Sequence, residues 1–180
     1  LGSSNKLNSR GFDVFDSGMY TVVLADNALK VSDAMHLVPE KKRPQFHYGI
    51  FGKYAKWYPN WPIAICCFDG SVEPEPMLWW YKPKSLENLF MPALDAHDGH
   101  APRIGALVEV DHTVVFGSTI KPFGAKARLE NVPAHLEPFL ARQVVGSTLQ
   151  CKMPNGDFHM AVDAMKEQWA RPRRLPPPGA

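Results

Sequence analysis

The sequence predicts an α+β fold, a largely antiparallel sheet or barrel with two or three short helices. Three observations predict it. Alternation of apolar and polar residues recurs along the chain, most extensively over residues 104–116. Apolar and aromatic runs of strand length are fenced by proline and glycine, as at Pro62 and Asp69-Gly70 or at Pro76 and Pro83. Asn155-Gly156 stands between two alternating runs, a strong hairpin signal.

Taken in order, the β-branched run 20–24 leads through Asp26-Asn27 into 28–31 and reads as a hairpin, after which Ser32-Asp33 caps a short helix over 34–38 that Pro39 stops. Residues 46–51 alternate, with aromatic mass on both faces, and read as a strand. The uninterrupted apolar run 63–68 reads as a central strand buried on both sides, with the aromatic run 77–81 as its partner. A helical turn is expected from Ser85 to Phe90. In 104–116 the even positions, Ile104 to Phe116, form a core face that includes His112 as a satisfied core histidine, while Glu109, Asp111 and Thr113 face the other way. Asn131 caps an expected helix carrying Leu136, Phe139, Leu140 and Val144, with Gly146 as its stop. Alternating runs at 149–153 and 158–162 flank the Asn-Gly turn, and Met165 with Trp169 mark a final short helix. Around this domain, residues 11–170, lie a polar arm at 1–10 and a Pro/Arg-rich arm at 171–180. Such arms are expected to rest on a protein partner or on a second copy of the chain.

Composition narrows the function classes. With 180 residues, 45% hydrophobic, 11% aromatic and 21% charged, the chain is neither a disordered polymer nor a fibre. Its longest apolar run, 62–68, falls far below the roughly 18 residues of a membrane helix, so a soluble protein without a membrane partner is expected. A net charge of +2 and a pI near 8.4 give no basic face for nucleic acid. Cys66 and Cys67 are adjacent and point to opposite sides of an extended strand; with Cys151 they make an odd count that suits a reducing, cytoplasmic compartment.

The densest chemistry is Asp95-Ala96-His97-Asp98-Gly99-His100. Imidazole nitrogens from His97 and His100 with the Asp98 carboxylate form a ligand set for a divalent metal, zinc, iron or manganese, and Asp95 and Asp98 are the carboxylates for acid-base work. The same residue types also build surface turns, because Asp caps local N–H groups and Gly admits positive φ. A thiol nucleophile at Cys66 or Cys67, with His47 as base, is opposed by the apolar run that holds both cysteines. No nucleophile elbow, dinucleotide fingerprint, phosphate loop or Cys-x-x-Cys pair occurs. Aromatic residues crowd one third of the chain, among them Trp57, Trp61, Trp79 and Trp80, interleaved with lysines, which is the composition of a binding face. Two functional readings follow: a metal-dependent, hydrolase-like enzyme built on 95–100, or a non-catalytic component of a larger assembly that binds through the aromatic segment and the arms.

Overall fold

The computed structural model describes residues 9–47, 49–79, 81, 84–96, 98–118, 124–126, 132, 134–166 and 171–180. Within them two α-helices accompany nine strands in three antiparallel sheets, none closed into a barrel, which gives an α+β architecture. The chain divides into two units, each around its own apolar cluster.

The first unit draws on described residues between 9 and 77, 96 and 101, and 177 and 180. Strands β1 (Phe12–Ser17) and β2 (Tyr20–Ala25) form a hairpin across Gly18-Met19, and β3 (Ile63–Cys67) pairs with the far side of β2. The hairpin therefore precedes β2 instead of following it. At Asn27 the side-chain oxygen accepts the N–H of Leu29 at 2.9 Å, which starts a helical turn where a second strand was expected. Helix α1 (Val31–Ala34) continues from that turn, and Ala28, Val31, Ala34 and Val38 are all buried. β2 takes the centre of the sheet with Val22, Val23 and Ala25 fully covered. β3 is an edge: its apolar run is half-buried up to Cys67, so continuity of apolar residues overstated its depth.

The described residues of the run 46–51, which leave out Tyr48, form no strand. Gly49 sits at φ 87°, a left-handed conformation that glycine adopts without a Cβ clash, and it turns the chain into α2 (Ile50–Trp57), which buries Ile50 and Trp57. At the other end of α2 the carbonyl of Trp57 accepts the N–H of Gly179 at 2.8 Å.

The second unit contains β4 (Asn88–Met91), β5 (Leu107–Gly117), β6 (Ala125–Lys126), β7 (Gln143–Pro154), β8 (Asp157–Ala161) and β9 (Arg173–Leu175), arranged as sheets β4-β8-β9 and β5-β7-β6. β5 and β7 form a long ribbon, in register from Leu107 opposite Pro154 to Gly117 opposite Val144. One face buries Val110, Val114, Phe116 and Val145 against Phe158, Met160 and Met165. The other is polar, with Lys152 on Glu109 at 3.3 Å, Gln150 on Asp111 at 3.1 Å, and Thr113 on Thr148 at 2.9 Å. The two-faced reading thus holds over 107–116, whereas residues 104–106 form a turn with Gly105 at φ 73°, and His112 is exposed with its Nδ1 2.7 Å from the Asp111 carbonyl.

Five other expectations change. Asn155-Gly156 joins strands of different sheets, so it is a corner and not a hairpin. The helix expected after Asn131, a residue outside those described, is a single 3-10 turn at Glu137–Phe139, and the chain is already in β7 by Gln143. Pro138 in that turn and the β-branched residues Val144 and Val145 favour this outcome. Ser85 accepts the N–H groups of Glu87 and Asn88, but the residues after it form β4. Of the expected final helix the described residues contain one 3-10 turn, Ala164–Lys166, and Trp169 lies outside them. The Pro/Arg-rich tail is no loose arm: β9 pairs with β8, Asp157 standing opposite Leu175. No described helix is long and apolar enough to cross a membrane.

Candidate functional site

Residues 98–100 close against 45–47 within the first unit. The N–H of His47 donates to the Gly99 carbonyl at 3.0 Å, and the rings of His47 and His100 stack with centroids 3.3 Å apart and planes inclined by 18°. Gly99 makes the approach possible: its φ is 73°, and a Cβ there would stand 3.0 Å from the Gln45 carbonyl oxygen. Asp98 accepts the N–H of His100 at 2.9 Å, an Asx turn. That hydrogen bond, with smaller contributions from the imidazoles of His100 and His47, holds the Asp98 carboxyl below its ordinary range.

This arrangement brings Asp98, His100 and His47 together, and His97 lies outside the described residues. Ring-nitrogen lone pairs lie in the planes of the imidazoles, so two stacked rings aim them in parallel and do not converge on one ion. Among the described residues no group of three or more His, Cys, Asp or Glu side chains gathers in metal-binding geometry. Asp95 belongs to the second unit, where a buried polar network sets its position. The Asn155 side chain pairs with both main-chain groups of Asp95, accepting its N–H at 2.9 Å and donating to its carbonyl at 2.8 Å. Fully buried Asp157 accepts the N–H of Ala93 at 3.0 Å, and Arg174 from β9 donates to the carbonyls of Gly156 at 2.7 Å and Ala93 at 2.5 Å. The Arg174 guanidinium also stands 5.3 Å from the Phe158 ring centroid.

Asn155, Asp157 and Arg174 were not singled out in the sequence. Asn-Gly-Asp reads there as a turn and an arginine between prolines reads as solvated tail; only the pairing of β8 with β9 joins them.

Burial makes Cys66 and Cys67 weaker nucleophiles than an exposed thiol. Cys66 is half-buried and Cys67 buried, and burial pushes both thiols above the ordinary range. The tryptophans separate by exposure. Trp57 is buried with Tyr54 5.6 Å from it, Trp61 is half-buried beside Tyr58 at 5.7 Å, and Trp80 lies outside the described residues. Trp79 is 44% exposed, and it belongs to a stretch whose described residues form no strand or helix and in which Tyr81 is 69% and Leu86 82% exposed. Val72 and Met77 are exposed in the same stretch. The stretch is tied down at Glu75, whose carbonyl accepts the Tyr20 hydroxyl and whose N–H meets the Met19 sulfur at 3.2 Å.

The fold and these residues define an α+β protein of antiparallel sheets with an exposed aromatic stretch. Comparison with family models, with curated proteins and with solved structures finds no match.

Proposed function

We propose that the chain is a non-catalytic binding component of a protein assembly and that it docks another protein chain through the exposed side chains of Trp79, Tyr81 and Leu86 in the second unit. The observation that carries this reading is the exposure of Trp79, Tyr81 and Leu86, large apolar side chains of the second unit that take no part in a described sheet pairing. Large apolar groups cost free energy in water, and Trp and Tyr combine extensive apolar surface with a polar tip, so they dominate the energetics of protein interfaces. Placing a photoreactive amino acid at position 79 or 81 tests it. Protein adducts should form there and be absent when the same group stands at Thr113, an exposed position on the polar face of the β5-β7 ribbon. Equal labelling from all three positions would contradict the docking role.

A second reading, a hydrolase-like enzyme using zinc, iron or manganese, rests on Asp98 and His100, held in one turn by the bond from the His100 N–H to Asp98, without the His47 ring that stacks on His100. Elemental analysis of the purified protein decides it. Stoichiometric metal that is lost in His100→Ala would favour the enzyme; metal-free protein with full thermal stability would leave the docking reading.

A further inference from the structure

A groove in the first unit, between the turn at Glu40–Lys42 and the end of β3, is used by neither reading. It encloses about 390 Å³. Its lining joins three consecutive cations, Lys41, Lys42 and Arg43, to the apolar side chains of Phe46, Ile65 and Phe68, and includes no carboxylate. Among the described residues none of the three cations is in an ion pair. Arg43 is held by its donation to the carbonyls of Val38 at 2.9 Å and His36 at 3.3 Å, while Lys42 reaches only the Thr21 hydroxyl, at 3.4 Å. Three acidic groups stand close to these cations but outside the lining: Glu40 in the same turn, Asp16, whose carboxylate accepts the Thr21 hydroxyl that Lys42 also reaches, and Asp69 on the adjoining loop. The Asp69 carboxyl is held down first by hydrogen bonds from Ser71 and then by Lys41 and Lys42, so it answers part of their charge from outside the lining. The rings are already placed: Phe46 packs on Phe51 at 4.9 Å and Phe68 on Tyr20 at 5.9 Å.

We propose that this groove binds an organic anion, its phosphate or carboxylate met by Lys41, Lys42 and Arg43 and its apolar body laid on Phe46, Ile65 and Phe68. Concentrated positive charge beside apolar surface recognises that combination, because the charge steers and orients the ligand while burial of its body adds affinity. Neither half of the groove suits a neutral hydrocarbon or a free inorganic ion as well.

Cysteine supplies the reporter. Cys66 lies in the groove and Cys151 is exposed in the second unit, so a thiol-alkylating reagent reads both sites in one sample. Phenyl phosphate or benzoate at millimolar concentration should slow alkylation of Cys66 and leave Cys151 unchanged; whichever protects at lower concentration names the headgroup. Inorganic phosphate and benzyl alcohol should each protect less. Lys41→Glu with Lys42→Glu should weaken protection by about tenfold or more, the scale of one lost charge-assisted contact. Lys41→Gln alone should weaken it by less, and it serves if the double variant fails to fold. Cross-linking from position 79 should be the same in these variants, which separates this site from the docking residues. No protection by either organic anion, protection that survives charge reversal, or benzyl alcohol as effective as phenyl phosphate would overturn the proposal.

Discussion

Asn155 is the residue on which the second unit's polar interior turns. It is 2% exposed, its side chain closes both hydrogen bonds to Asp95, and its own N–H and carbonyl pair with Ala106 at 2.7 Å and Gly105 at 2.9 Å. Truncation would strand the Asp95 main-chain groups, and a buried group left without a partner costs far more than an average hydrogen bond contributes. We predict that Asn155→Ala lowers stability by about 2–4 kcal/mol in chemical unfolding. Asn155→Asp should fare no better, since a carboxylate cannot donate to the Asp95 carbonyl. Asp98 works differently, at the surface. Its folded-state pKa lies below the unfolded value of about 3.9, so its contribution is complete above that value and disappears as the pH falls through the folded pKa. The unfolding midpoints of wild type and Asp98→Ala should therefore differ at neutral pH and merge in strong acid. A constant difference across the titration would mean that the carboxylate's charge plays no part. The 95–100 cluster was visible in the sequence as a concentration of residue types. Its partner was not, because His47 lies about fifty positions away and meets His100 only through the Gly99 turn.

Elements with one dry and one wet face were legible, since a period of two is written directly into the residue order. β5 follows it closely apart from His112, β8 follows it only from Phe158 onward because Asp157 is buried too, and β7 follows it over 145–150 but loses it at the exposed Cys151. Legibility failed where one residue redirects the chain. Gly49 converts an alternating aromatic run into α2, Asn27 converts the end of a strand into a helical turn, and Asn155 converts a hairpin signal into a corner between sheets. The C-terminal tail shows a second cause: proline content excludes a central strand, yet Arg173–Leu175 lies between prolines and is free to pair at an edge. β9 should be a stabilising element and not an appendage. Arg174→Ala, which removes the donations to Gly156 and Ala93, should cost about 2 kcal/mol. Phe158→Ala, emptying a fully buried site in β8, should cost about 3–5 kcal/mol by the same unfolding measurement. An Arg174→Ala protein as stable as wild type would show that the tail pairs without consequence.

On the scale of the whole molecule, each unit has an apolar cluster of its own, and among the described residues Trp79, Tyr81 and Leu86 of the second unit stand outside its cluster and are exposed. Trp79→Ser with Tyr81→Ser should for that reason leave unfolding within about 0.5 kcal/mol of wild type, the usual range for exposed positions. A core role for these rings would instead show as a loss of several kcal/mol. The most direct test of the account is photo-cross-linking from position 79 with Thr113 as the control position. The account predicts protein adducts from 79 alone; adducts from neither position, or equally from both, would contradict it.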